Sequence, residues 1–232
     1  MTGALDILYR DDALLAVQKP SGLLVHRGMG RDRVTLVDLV RDLTGAGKVH
    51  PAQRLDRGAS GVMLFAMDGE IARLVGAMFE RGEVRKAYLA LVRGRAPDEG
   101  VVDHPLAKKE GGPRLPSVTA YRRLATVEAE PREVSLVLAL TQSGRLHQVR
   151  RHLRHVNHPL IGDANYGHCA LNRAFRERHG LGRLALHAAA IALLHPVTGA
   201  ALRIDAPLPD DLRRPLVSIG FPGPVLDQPP RL

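Results

Sequence analysis

Tryptophan is absent, tyrosine and phenylalanine occur four times each, and aromatic residues make up only 3% of the 232-residue sequence. That scarcity argues against a broad stacking platform for single-stranded nucleic acid, which relies on aromatic faces for successive bases. Cys169 is the only cysteine, so no intramolecular disulfide can form and a reducing compartment suits the chain. No apolar run reaches membrane-spanning length, and the N-terminal MTGALDILYRDD carries acids where a signal peptide is basic and then apolar. These absences predict a cytoplasmic protein with no membrane partner. Lysine is scarce too: Lys19, Lys48, Lys86, Lys108 and Lys109 are the only lysines among 33 basic residues, so the positive charge is nearly all arginine.

What is present is enough apolar material for a sizeable core, at 45% hydrophobic residues, and a formal net charge of +9. That excess points to a polyanionic partner, with nucleic acid first and an anionic membrane surface second. Arginine suits the first role because its guanidinium forks onto phosphate oxygens and stacks on bases.

The pattern of apolar residues predicts short strands at Leu14 to Val17 and Leu23 to Val25, around the turn KPSG. Thr35 is placed to cap a helix bearing Leu36, Leu39, Val40 and Leu43, closed by Gly45. Val62 to Met67 reads as a buried strand, and Ile71, Leu74, Val75, Met78 and Phe79 as one face of a helix ending near Gly82. EVRKAYLALVRG, 83–94, alternates as a strand with Lys86 and Tyr88 on one face. Residues 94–117 read as mostly loop, followed by strands over SVTAYRRLATVE and from Glu133 to Thr141. ALHAAAIALLHPVTGAALRID reads as two strands around PVTG, although its alanines permit a helix, and the tail FPGPVLDQPPRL as irregular. Strands and helices without βαβ rhythm, repeat or linker predict a single α+β domain on a mainly antiparallel sheet.

GRLHQVRRHLRHVNHP, 144–159, contains no acid. Leu146, Val149, Leu153 and Val156 form a helical apolar stripe, and His147, Arg150, Arg151 and Arg154 lie opposite. Such a cationic side needs a polyanion or buried acids to neutralise it, and we read it as facing RNA or DNA. Its four histidines lack a carboxylate or cysteine at ligand spacing, so no metal site is expected.

In PAQRLDRGASGVMLFA, 51–66, a lone carboxylate, Asp56, stands between Arg54 and Arg57 before a glycine-rich turn. In isolation it reads as a turn cap or a charge neutraliser as readily as a catalyst. The wider pattern decides: QRLDRGASGVMLFA resembles the active-site motif of the RluA-type pseudouridine synthases, usually His-Arg-Leu-Asp, two variable residues and Thr-Ser-Gly. KPSGLLVH, EVRKAYLALVRG, GRLHQVRRHL, HPLIGDANYG and LALHAAAIALLHPVTG follow that family's pattern along nearly the whole chain.

The resemblance implies isomerisation of a uridine in RNA to pseudouridine, with Asp56 acting on the sugar, Tyr88 as the active-site tyrosine and Arg145 as the ion-pair partner of Asp56. Arg54 would help displace the base, and Arg57, His147, Arg150, Arg151 and Arg154 join it as RNA-binding candidates. Lys86 ranks as a structural ion-pair member or second active-site cation, Leu146 as pocket wall, His26 and His187 as structural histidines, and Asp163 as a turn organiser. The reaction is redox-neutral, so no cofactor is implied. Gln53 and Ala59 depart from the usual histidine and threonine, which bears on positioning more than on activity.

ILYRDDALLAVQKPSGLLVHR and the block from HLRHVNHPLIGDANYG through the helical insert with Asn172, Arg173 and Phe175 resemble the tRNA pseudouridine-65 synthases (TruC-like) more closely. The expectation is therefore a tRNA substrate, with ribosomal RNA second and a non-catalytic RNA-binding or folding protein as the contrasting reading. A single catalytic domain without an N-terminal S4-like RNA-binding domain is expected, working as a monomer with no obligate protein partner.

Overall fold

The computed structural model describes residues 5–27, 34–107 and 111–227. In chain order the first half contains β1 (Ile7–Arg10), β2 (Leu14–Lys19), α1 (Leu36–Thr44), β3 (His50–Pro51), β4 (Ser60–Ala66), α2 (Gly69–Glu80), β5 (Arg85–Arg93), β6 (Glu99–Asp103), β7 (Leu106–Ala107) and β8 (Arg114–Leu115). The second contains β9 (Val118–Val127), β10 (Val134–Thr141), α3 (Gln148–His155), α4 (Cys169–His179), β11 (Leu186–Leu194), β12 (Ala201–Asp205), α5 (Asp210–Ile219) and α6 (Gly223–Asp227). Among the described residues, ten strands form one sheet in the order β1-β2-β4-β11-β5-β10-β9-β6, with β12 beside β11 and β3 beside β4. Its pairings are antiparallel except between β4 and β11. This is the α+β architecture expected from the sequence.

β4 shows why SGVMLFA is wholly apolar instead of alternating. Val62, Leu64 and Ala66 pack with Ile71, Val75 and Met78 of α2, whereas Met63 and Phe65 pack with Leu36 and Val40 of α1. Both faces of the strand are covered, so both sets of side chains must be apolar. The helices start where side chains satisfy their free N–H groups. Thr35 and Asp38 form a reciprocal capping box at α1, and the Asp68 carboxylate accepts from the N–H groups of Glu70 and Ile71 at α2. Gly45 closes α1 in the left-handed conformation.

Several expectations change. Leu23 to Val25 is not a strand: the Leu23 carbonyl accepts from the buried Lys19 ammonium at 2.7 Å, and the Leu24 and Val25 carbonyls accept from the first N–H groups of α1. The described part of residues 94–117 is mostly loop, as expected, and within it β6 adds to β9 as an edge strand with Val101 exposed. The tail carries α6, and α5 runs through Pro215 because Leu212, Leu216 and Ile219 pack on Phe175 and Leu136. The 144–159 helix begins only at Gln148, after His147 turns left-handed with φ 52°. Its Val149 and Leu153 share a cluster with Ala90, Val92, Val137 and Ala139, and its Gln148 and His152 bond Val118 and Thr119, so α3 lies over β5, β10 and β9.

The parallel contact of β4 with β11 puts His187 opposite Ser60 and Ala188 opposite Gly61. Gly61 has φ +118°, and a Cβ there would lie 2.2 Å from the Ala188 carbonyl oxygen. Gly61→Ala is therefore expected to lower the unfolding free energy by about 3 kcal/mol or more. Gly47→Ala, at a site with nothing within 4 Å, should be close to neutral. Urea titrations of both variants check this, and equal midpoints would contradict the close approach.

Candidate active site

Asp56 sits on the turn between β3 and β4, and the Ala59 N–H donates to its carbonyl at 3.1 Å. Buried polar groups hold this turn from behind. The Lys19 ammonium donates to the carbonyls of Pro20, Leu23 and Arg57 at 2.8, 2.7 and 3.2 Å, and burial, with the nearby Arg183 charge, pulls its pKa down to about 7. Ser21 Oγ donates to the Gly58 carbonyl, and Arg57 Nε donates to the Gly22 carbonyl. On the other side, Arg183 donates to Ser60 Oγ at 2.7 Å while pairing with Asp211 of α5. His187 Nε2 donates to the Ala206 carbonyl, so Nδ1 accepts from the Ser60 hydroxyl at 2.9 Å. Each of these donors thus has an acceptor, and their common product is the position of the turn.

The guanidinium on Asp56 belongs to Arg150. Its Nη1 donates to Asp56 Oδ2 at 2.8 Å, while Nε and Nη2 fork onto Asp163 Oδ2 and Oδ1 at 2.7 and 2.8 Å. Two sequence expectations are corrected here. Arg145 does not pair with Asp56: it precedes α3, its Nη2 donates to the Pro116 carbonyl, its Nε is buried without a protein partner, and its charge bears on Lys86. Arg150 does not face solvent, being 7% exposed, because one turn into the helix it points toward the two carboxylates. Burial works against its charge, but the bonds to Asp163 and Asp56 outweigh that and hold its pKa above the ordinary arginine value. Asp163 does organise a turn, accepting from the N–H groups of Asn165 and Tyr166, and it is also the second carboxylate of this cluster. Burial would raise its pKa, yet the bonds from Arg150 and Tyr166 bring it below the usual carboxylate range.

Tyr88 comes to the same place from β5. Burial, and then the charge of Asp56, push its hydroxyl above the usual tyrosine value, so it stays a phenol at neutral pH. Lys86, two residues back on that strand face, donates to the Ser143 carbonyl at 2.7 Å, and burial with the Arg145 charge brings it to about 8. His147 Nε2 lies 3.7 Å from Asp56 Oδ1. The structure thus brings Asp56, Tyr88, His147 and Arg150 together and leaves Arg145 beside Lys86. With its side chain 24% exposed, Asp56 remains open to a ligand.

Arg54, Arg57 and Arg154 are exposed, and Arg151 is half-buried with Nη1 directed to the Leu146 carbonyl. The histidines of this segment disperse. His152 is buried against Thr119 and the His104 carbonyl, His155 stacks on His104, and His158 bonds the Arg93 carbonyl. Among the described residues, no three His, Cys, Asp or Glu side chains converge as a metal site. Sequence reasoning missed Lys19, Tyr166 and Arg183 as members of the site's framework. Only the KPSG, GDANYG and LALHA motifs hinted that these segments meet, and motif order carries no distances.

Residues 13–155 match the family model described as RNA pseudouridylate synthase. The chain is 41% identical to the tRNA pseudouridine synthase C of Salmonella typhimurium, over 94% of this chain and 91% of that one. It is 42% identical to the protein of the same name from Haemophilus ducreyi, over 87% and 90%. Among solved structures, Human RNA Pseudouridylate Synthase Domain Containing 4 superposes with a TM-score of 0.71 at 26% identity, covering 92% of each chain. Human RNA Pseudouridylate Synthase Domain Containing 1 gives the same score and identity over 89% and 83%.

Removing the Arg150 head group leaves Asp163 buried and unpaired, so Arg150→Met is expected to cost about 3–5 kcal/mol in urea unfolding at neutral pH. A second expectation concerns acid. Burial pulls the pKa of His187 from 6.5 down to about 4. Between those values the unfolded chain binds the proton and the folded chain does not, so stability falls as pH drops through that window, by about 3 kcal/mol. Unfolding free energies across that range should therefore flatten in His187→Gln, and an unchanged slope would remove His187 as the source.

Proposed function

The chain belongs to the RNA pseudouridylate synthase family, and from that membership we propose that it isomerises a particular uridine of tRNA to pseudouridine, with Asp56 acting on the sugar. The observation that carries this reading is the meeting of one partly exposed carboxylate, Asp56, with the Arg150 guanidinium at 2.8 Å and the Tyr88 phenol, whose pKa its charge raises. The names of the bacterial relatives support tRNA over ribosomal RNA. No helix among the described residues is long and apolar enough to cross a membrane. That agrees with a cytoplasmic enzyme, which we take to work as a monomer and a single catalytic unit on its RNA.

The chemistry asks for what these residues offer. The N1–C1′ bond of the uridine must break, the base must turn, C5 must join C1′, and the proton on C5 must leave while N1 gains one. Positive charge that develops on the sugar in the first step is met by the Asp56 carboxylate, either electrostatically or as a covalent adduct. Arg150 fixes the rotamer of that carboxylate through Oδ2, and Asp163 fixes Arg150 in turn. Tyr88 offers an aromatic face to the detached uracil and a hydroxyl for proton transfer. A base inside an RNA stem must first leave the stack, at a cost of about a few kcal/mol. Phosphate contacts from Arg54, Arg57, Arg151 and Arg154 offset that cost. Arg145, whose guanidinium donates to the Pro116 carbonyl and whose charge bears on Lys86, is not assigned to hold Asp56.

Incubation of the protein with unmodified tRNA and mapping of pseudouridine tests the reading. Wild-type protein should form it at one position, and Asp56→Ala should reduce product below detection while retaining RNA affinity. Product from that variant would remove Asp56 from the chemistry, and a wild-type protein that binds RNA tightly but modifies neither tRNA nor ribosomal RNA would favour the non-catalytic reading. Arg154→Ala should weaken tRNA binding and lower the slope of log affinity against log salt by about 0.7–0.9.

A further inference from the structure

His147 is the one non-glycine residue at the edge of the site with a left-handed backbone, φ 52° and ψ 34°, and its side chain does not cap the helix it precedes. A conformation disfavoured for a residue with a Cβ is kept where the surroundings impose it, and such residues gather at active sites. Here the turn carries the imidazole between two partners. Nδ1 lies 3.0 Å from the Tyr166 hydroxyl, and Nε2 lies 3.7 Å from Asp56 Oδ1. The Tyr166 ring is itself held, with the Arg150 guanidinium 5.0 Å and the Arg154 guanidinium 5.8 Å from its centroid, and its N–H donates to Asp163. The two oxygens of Asp56 are therefore unlike: Oδ2 is tied to Arg150, and Oδ1 faces the imidazole beyond hydrogen-bond distance.

We propose that Tyr166 and His147 are positioning residues: the Tyr166 hydroxyl donates to Nδ1, which keeps the hydrogen on Nε2, and this N–H guides Asp56 Oδ1, the oxygen that meets the sugar. The tautomer follows from acceptor chemistry. A carboxylate oxygen can only accept, so the nitrogen facing it carries the hydrogen and the other offers its lone pair. A donor held just outside bonding range leaves Oδ1 free at rest and meets it as the carboxylate turns toward the sugar and again as it departs. The groups facing the ring are Asp56 from the β3–β4 turn, Asp163 and Tyr166 from the turn before α4, and Arg150 and Arg151 from its own helix. Burial lowers its pKa, with Asp56 opposing, so the ring is neutral at neutral pH. Protonation at lower pH fills Nδ1, ends the bond from Tyr166 and sets an imidazolium in competition with Arg150 for the carboxylate.

This inference rests on the proposed isomerase activity. The test is Tyr166→Phe, which keeps the ring beside the two guanidinium groups and removes only the hydroxyl, assayed on the full chain with tRNA across pH. kcat is expected to fall about 10- to 100-fold with KM unchanged. The hydroxyl favours the neutral ring, so its loss raises the pKa of His147 and moves the acid limb of the rate profile to higher pH. A role in folding alone would not move that limb. In parallel, nitrogen NMR of the labelled imidazole should show Nε2–H in the wild type and a mixture of tautomers in Tyr166→Phe. An unchanged kcat and acid limb in the variant, or a wild-type ring with its hydrogen on Nδ1, overturns the proposal. If wild-type protein forms no pseudouridine, the functional reading fails, and the ring spectrum still decides the tautomer.

Discussion

Arg150 carries the site. A guanidinium shielded from water is stable only with its charge met and its N–H groups engaged, and the fold supplies two carboxylates from opposite directions, Asp56 from the β3–β4 turn and Asp163 from the turn before α4. The fork onto Asp163 is bidentate and wholly buried, so it sets the plane of the guanidinium. That leaves Nη1 to donate to Asp56. Asp56 is therefore aimed by a group that is itself aimed, from a helix packed over the sheet.

The same logic extends behind the turn. Lys19, Ser60 and His187 are buried and Arg183 half-buried, and all four are partnered, mostly by backbone carbonyls. In a low-dielectric interior each such bond is costly to break, so together they limit where the backbone from Arg57 to Gly61 can lie. Arg183 also ties this turn to Asp211 at the start of α5, which makes that helix part of the site's framework. Asn172 does a similar service for the Asp163 loop, with Oδ1 accepting from the Gly162 N–H and Nδ2 donating to the Asp163 carbonyl.

The 33 lysine and arginine side chains divide between two uses. Some are interior, as in Lys19, Lys86, Arg150 and Arg183, where they organise carbonyls and carboxylates. Others are on the surface, as in Arg54 and Arg154 near the site, where a phosphate backbone can be held without reading its sequence. The basic helix contributes to both, because successive positions around a helix face opposite environments.

How far the sequence reaches follows from what sets each feature. β4, α2, β5, β10 and the hairpin of β11 and β12 were legible because local periodicity and turn residues determine them, and a strand covered on both sides announces itself in SGVMLFA. Asp56 stood out as the acid of a matched motif. Which arginine reaches it was not legible: Arg145 and Arg150 both lie in a segment without acids, and the choice depends on the left-handed step at His147 that begins α3 between them. Asp163, Lys19 and Tyr166 joined the site for the same reason. Periodicity is a property of the backbone and can be read along the chain, whereas ion pairs between distant segments exist only once packing removes the water that would otherwise solvate each charge separately.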